Sequence, residues 1–213
     1  MKKITITQIS EKKIKAGNPL LQMEDFPNEL SFDEGELVEL VDSRQKFVAK
    51  AYLAKQNKGV GWVFSLDNAD SFNEAFFKKQ FEKAKRKRTD LQSDPETTTY
   101  RLFNAEGDGI PGVTIDHYDG FAVVSWYSEG IFRYQTAIIA AFQAVFPETK
   151  GIYEKFRYQR KDGLISRYVR GDAAPTPLIV KENGINYATY LDDGLMTGIF
   201  LDQREVRGAL TER

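Results

Sequence analysis

The chain has 213 residues, 30 basic and 31 acidic, a formal net charge of -1 and no cysteine. Its length suits one large domain or two to three small ones, and its balanced charge means that any basic patch is local. Without a thiol, these residues hold no disulfide framework, thiolate metal site or cysteine nucleophile. One histidine also argues against a His-rich metal site or a Ser-His-Asp triad. The first residues, "KKITITQIS" after Met1, lack the apolar run expected of a signal peptide, and no run approaches the ~20 apolar residues of a membrane span. A cytoplasmic protein with no bound metal and no membrane partner is expected.

Residues 1–70 read as strands and turns. "ITIT", "GELVELVD", "KFVAKAYLA" and "GVGWVFS" are short runs rich in Val, Ile, Phe and Trp, with Gly, Asp and Asn between them. "EKKIKAGNPLL" is a basic stretch ending in the turn signal Gly17-Asn18-Pro19. The pattern is that of a small β-barrel. Ser71-Phe72-Asn73-Glu74 forms a capping box that opens a helix over "AFFKKQFEKAKRKRTDL". Phe77, Phe81 and Ala84 face a core at helical spacing. "QSDPETTT" follows as a linker. "YRLFNAEGDGIPGVTIDHYDGFAVVSWYS" reads as three strands joined by tight turns, and "EGIFRYQTAIIAAFQAVFP" as an amphipathic helix ending at Pro147. "GIYEKF" is a further strand, and "RYQRKDGLISRYVRGDAAPTP" is polar, irregular and basic. "LIVKENGINYATYL" is a hairpin turning at Asn183-Gly184. In "GLMTGIFLDQREVRGAL", Asp202 and Glu205 open a last helix with Val206 and Leu210 on its apolar edge.

Several motifs have an ordinary structural reading beside a functional one. Gly107 to Gly112 spells G-x-G-x-x-G, but an alternating strand follows it where a dinucleotide loop needs a helix. Pro111 removes a donor and Asp108 repels phosphate, so a turn between strands is expected. Lys78, Lys79, Lys83, Lys85, Arg86, Lys87 and Arg88 crowd one short helix, with Glu82 the only acid opposed. That run is either a solvated face or a phosphate-binding surface. Arg157, Tyr158, Arg160, Lys161, Arg167, Tyr168 and Arg170 form a second basic-aromatic segment suited to stacking and phosphate contact. His117 reads as a surface or turn residue and not a base, Asp192-Asp193 as a turn, and Asp202 as an N-cap worth ~1 kcal/mol to its helix.

Three stretches together, "YRLFNAEGDGIPGVTIDHY", "GIYEKFRYQRKDGL" and "GINYATYLDDGLMTGIFLDQREVRGAL", resemble the RlmI-like class I S-adenosylmethionine-dependent methyltransferases in order and spacing. "KKIKAGNPLL" and "GELVELVDSRQKFVAKAYL" look like the PUA domain of that family, with His117 where an arginine is more usual. The resemblance implies an α+β fold in three parts. Residues 1–70 are a PUA-like RNA-binding β-barrel, and 71–175 a middle α+β domain. Residues 176–213 are the hairpin and first helix of a Rossmann-like methyltransferase domain.

The reaction that the resemblance implies is methylation of carbon 5 of a cytosine in large-subunit ribosomal RNA. A thiolate attacks C6 and a base then removes the C5 proton. The family's Gly-rich cofactor loop, acidic motif and catalytic cysteine lie beyond the matching stretches, so these 213 residues are expected to be a truncated portion, inactive alone. No catalytic residue is assigned. Phe200, Asp202, Gln203 and Arg204 are expected beside the S-adenosylmethionine site. Lys78, Lys79, Lys85, Arg86 and Arg88, with Arg157, Arg160 and Arg167, are expected to contact ribosomal RNA, giving weak binding of structured RNA. A homodimer stays open. The competing readings are a stand-alone PUA-containing RNA-binding module, and a metabolic enzyme using the acidic turns around Asp108, Asp116 and Asp192. The segment after residue 176 favours the methyltransferase portion, because a pure binding module does not need it.

Overall fold

The computed structural model describes residues 1–57 and 59–211. Three sheets organise them. The first has the order β1 (Lys2–Thr5), β3 (Leu37–Val41), β4 (Phe47–Gln56), β5 (Gly59–Ser65) and β2 (Leu20–Leu21). β1, β3, β4 and β5 fall on the four apolar runs expected from the sequence, and β2 lies in the stretch read as basic. A helix, α1 (Gln8–Lys15), lies among them where only a basic stretch was expected. Its cap is Thr7, whose hydroxyl accepts from the Ser10 N–H, and it buries only Ser10 and Ile14. So sparse an apolar face leaves little periodic signal.

The second unit is a sheet with helices on one face. Helix α2 (Glu74–Lys87) is capped by Asn73, which accepts from the Phe76 N–H, and not by Ser71. Ser71 instead accepts the Asn73 N–H on its backbone carbonyl. After α3 (Thr89–Ser93) come β6 (Thr99–Asn104), the single turn α4 (Ala105–Asp108), β7 (Val113–Tyr118) and β8 (Phe121–Trp126). The expected long helix is two helices, α5 (Glu129–Phe132) and α6 (Gln135–Val145), separated at Arg133-Tyr134. There the Tyr134 hydroxyl donates to the Gly35 carbonyl at 2.6 Å. β9 (Gly151–Phe156) follows, and then β10 (Ser166–Gly171), an edge strand inside the segment expected to be irregular. The strand order is β10-β9-β8-β7-β6, antiparallel except for β8 with β9. The crossover that those two parallel strands require is the α5–α6 pair.

The third sheet is the hairpin β11 (Leu178–Glu182) and β12 (Ile185–Thr189). Asn183 and Gly184 both have positive φ (51° and 79°), the type I′ geometry expected of Asn-Gly. A 3-10 turn at Leu201–Gln203 then leads into α7 (Arg204–Thr211). Asp202 sits inside that turn and not at the helix cap. The stretch read as a linker is tied down. Thr98 exchanges bonds with Lys181, and the Gly184 N–H donates to the Glu96 carbonyl. No helix among the described residues is long and apolar enough to cross a membrane.

The main core ignores the boundary at residue 70. Tyr52, Trp62 and Phe64 of the first sheet share one buried cluster with Phe77 and Phe81 of α2, Ile115 and Val124 of the second sheet, and Phe142 of α6. The Tyr52 hydroxyl donates across the junction to the Pro111 carbonyl at 3.0 Å. Gly130 permits the closest approach: a Cβ there would lie 2.4 Å from the Ala54 Cβ. The two units are therefore pressed together through α5 on β4, and glycine is the only residue that fits.

A candidate nucleic-acid interface on the open sheet face

Successive residues of a strand point to opposite faces. In the second sheet Val113, Ile115, Val124, Trp126, Ile152 and Phe156 point toward the helices. Tyr118, Phe121, Val123 and Tyr153 point the other way and are covered by the hairpin and by Leu191 and Ile199. The cover stops short of the far end of that face. There Arg101 stands opposite Asp116 on neighbouring strands, and Thr114, Ser125 and Lys155 line up across β7, β8 and β9. The strands thus carry an apolar half under the hairpin and a polar half beside it.

Three hollows meet on the polar half. One, of about 430 Å³, lies between Glu34, Lys55 and Gln56 of the first unit and Glu129, Arg157 and Tyr158 of the second. A second, about 340 Å³, is bounded by Gln56, Arg101, Glu106, Thr114 and Tyr127. The third, about 300 Å³, runs from Arg101, Asp116 and Lys155 to Phe200 and Asp202. Gln56 borders the first two, Arg101 and Tyr127 the second and third, and Arg157 the first and third. Together they form one groove from the first unit to the 3-10 turn.

Its walls are fixed by ion pairs and clamps. Arg101 grips Asp116 with two bonds, at 2.6 and 3.2 Å, and its third nitrogen reaches the Asn104 side-chain oxygen. Burial pushes the Asp116 carboxyl up, against the pull of Arg101. Lys155 is fully buried, and its amine donates to the carbonyls of Asp193, Gly194 and Met196. Burial, with the nearby Arg157 charge, lowers its pKa to about 8. Arg157 donates from Nη2 to the Leu195 carbonyl, and the Tyr118 and Thr197 hydroxyls bond at 2.8 Å. Lys155, Arg157 and Tyr118 hold residues 193–197 along the groove's edge.

The residues singled out from sequence are divided by the sheet. Lys78, Lys79 and Arg86 are exposed on α2, on the helical side. Lys85 donates to the Val145 carbonyl and lies over the Phe146 ring. Arg88 points inward: it binds Asp108 at 2.6 Å and the carbonyls of Arg101 and Ala84. Asp108, expected to repel phosphate from a loop, is buried under Arg88 and Lys87. Burial raises its carboxyl, but those bonds and the Asn104 N–H outweigh that and leave it below its ordinary value. Arg160 pairs with Asp162 and lies 4.4 Å from the Phe156 ring centre. Arg167 pairs with the fully buried Glu154 at 2.7 Å. Of the predicted RNA contacts, Arg157 alone lines the groove.

Of the residues expected beside a cofactor, Phe200 and Asp202 stand at the groove's end, and Gln203 is exposed next to them. Arg204 is turned away, bonded to the Asn183 side-chain oxygen at 2.6 and 3.0 Å and to Thr97. His117 lies within β7 and not in a turn: its Nε2 accepts from the Gly120 N–H of the turn that follows, and its ring stacks on Tyr100 of the neighbouring strand. Among the described residues no cluster of His, Cys, Asp or Glu is placed to hold a metal ion. Arg101, Thr114, Tyr127 and Lys155 were not singled out as a site, and Asp116 only in the reading as a metabolic enzyme. The available signal was a polar residue at every second position of "VTIDHY", set in an otherwise apolar strand.

Comparison with known proteins gives this groove its context. Residues 4–66 match a PUA-like domain. The whole chain is 41% identical over 217 residues to a Bacillus subtilis (strain 168) protein named as a candidate ribosomal RNA large subunit methyltransferase, YwbD, covering 55% of it. Over 82% of its length it is 32% identical to ribosomal RNA large subunit methyltransferase I of Cronobacter sakazakii, covering 45% of that protein. A SAM-dependent methyltransferase candidate from Streptococcus mutans matches 99% of the chain at 44% identity with a TM-score of 0.91, the match covering 54% of that structure. A crystal structure of a candidate methyltransferase complexed with SAH matches with a TM-score of 0.92 at the same identity, over 53% of its chain. The chain thus spans about half the length of the curated relatives it matches. Sequence and fold together make the chain similar, over about half of their length, to RlmI-like ribosomal RNA large subunit methyltransferases, with a match to a PUA-like domain at residues 4–66.

Proposed function

We propose that this chain is the RNA-handling portion of an S-adenosylmethionine-dependent methyltransferase that acts on carbon 5 of a cytosine in large-subunit ribosomal RNA, in the cytoplasm. The observation that carries the reading is the 41% identity across the whole chain to a relative named for large-subunit ribosomal RNA. In this reading residues 1–70 are the PUA-like RNA-binding unit and 71–175 the middle domain. Residues 176–213 introduce the methyltransferase fold. The exposed Lys78, Lys79 and Arg86 supply phosphate contacts, and Lys85 a partial one.

S-adenosylmethionine supplies the methyl group. The residues at the groove's end fit its adenosine. Phe200 offers an exposed ring face, and Asp202 a carboxylate that makes no hydrogen bond among the described residues. Gln203 can add an amide contact, whereas Arg204 is spent on the hairpin turn. The nucleophile that C5 chemistry needs at C6 is a thiolate, and these 213 residues contain no cysteine. The polypeptide made of them alone binds RNA and transfers no methyl group.

Two measurements test this. Loss of the gene should remove 5-methyl from one cytosine of large-subunit ribosomal RNA, read by mass spectrometry of nuclease digests. An unchanged methylation map overturns the assignment. The purified 213-residue polypeptide, given labelled S-adenosylmethionine and ribosomal RNA, should incorporate no label; incorporation refutes the division of labour.

A further inference from the structure

We infer that the three joined hollows hold an unpaired nucleotide from a loop of structured RNA, read through its base edge and ribose and not its phosphate. The inference rests on the RNA-binding reading above and adds where and how the RNA is held. Among the described residues three buried side-chain polar atoms have no hydrogen-bond partner: Glu34 Oε2, Thr114 Oγ1 and Arg157 Nε. Each belongs to a wall of the groove, Glu34 in the first hollow, Thr114 in the second, and Arg157 in the first and third. An unmet buried polar atom costs about 1–3 kcal/mol, and native proteins keep few of them. All three converging on one groove points to a ligand that completes them.

Their chemistry selects the ligand. Glu34 accepts, Arg157 donates, and the Thr114 hydroxyl does either. A base edge and a ribose 2′-hydroxyl present donors and acceptors side by side, whereas a phosphate presents acceptors only. Glu34, Glu129 and Asp202 on the walls would repel a phosphate track. Tyr127 and Tyr158 provide ring faces of the kind on which unpaired bases stack. Hollows of 300–430 Å³ match small-ligand sites. A nucleotide turned out of a loop offers them a base edge that a duplex keeps paired. The exposed lysines of α2 lie on the sheet's other side, so any phosphate contacts they make are separate.

The test compares an RNA hairpin with an open loop against the same sequence in continuous duplex, by fluorescence anisotropy with the 213-residue chain. The hairpin should bind more tightly. Thr114→Val keeps the side chain's shape and removes an unmet hydroxyl, so the thermal midpoint of the free protein should hold or rise. Hairpin affinity should fall about fivefold to tenfold, the lower end of what a base contact is worth, with an unchanged salt slope. Glu34→Gln should weaken hairpin binding similarly. Unchanged hairpin affinity in both variants, with the parent chain binding RNA, overturns the groove and leaves the RNA-binding reading standing. No RNA binding by the parent chain removes both.

Discussion

Tyr52→Phe should lower the stability of both sheets together. The Tyr52 ring is fully buried, and its hydroxyl spans the junction to Pro111. Removing the hydroxyl leaves a buried carbonyl short of a donor, at about 1–2 kcal/mol. With a urea slope of about 3 kcal/mol/M for a chain of this size, the midpoint should fall by about 0.5 M. The chain carries its own reporters. Trp62 lies on β5 of the first sheet and Trp126 on β8 of the second, both inside the shared cluster. The single-tryptophan variants Trp62→Phe and Trp126→Phe therefore follow the two units separately by fluorescence. In each, unfolding should be one transition, and adding Tyr52→Phe should shift both by the same amount. Two separated transitions, or a shift seen by Trp62 and not by Trp126, would refute a common core.

Three further outcomes follow from the same structure. His117, the single histidine, should titrate near 4 and not near 6.5, because burial opposes its charged form. Between those values the unfolded chain takes up a proton that the native chain does not. Stability should therefore fall as pH drops from 6.5 to 4, by up to about 3 kcal/mol. A one-line NMR titration checks the pKa, and the loss should vanish in His117→Gln. Lys155→Met removes the amine that holds three carbonyls of residues 193–196. Amide exchange should accelerate over residues 190–203 while α2 and α6 keep their protection. Asp108→Ala strips Arg88 of its buried partner and the Asn104 N–H of its acceptor. It should cost about 2–4 kcal/mol in urea unfolding. A loss within 0.5 kcal/mol would show that Arg88 finds water or another partner.

What the sequence disclosed depended on how local each signal was. The strands β3, β4, β5, β7, β8 and β9 are runs of five to ten residues rich in apolar side chains, and Asn183-Gly184 dictates its own turn. These were legible. Helix α1 buries two residues and β10 is an edge strand of Ser, Arg, Tyr, Val and Gly, so neither announces itself. The break at Arg133-Tyr134 comes from tertiary contact with Gly35, which no window on the helix contains. The basic run on α2 was legible for the same local reason, although Arg88 is drawn inward by Asp108, twenty positions away. The groove was not. Arg101, Thr114, Ser125 and Lys155 are isolated polar residues on four strands, and only the register of the sheet sets them side by side.

The most direct test of RNA handling through the groove is photo-cross-linking of the chain to ribosomal RNA loops that carry 4-thiouridine, with the adducts mapped by mass spectrometry. The label sits on the base and not on the phosphate, so it reports where bases lie. Adducts are expected on Tyr127, Tyr158 and their neighbours along the groove. Adducts confined to residues 78–88 of α2, or none above a non-ribosomal control, would contradict it.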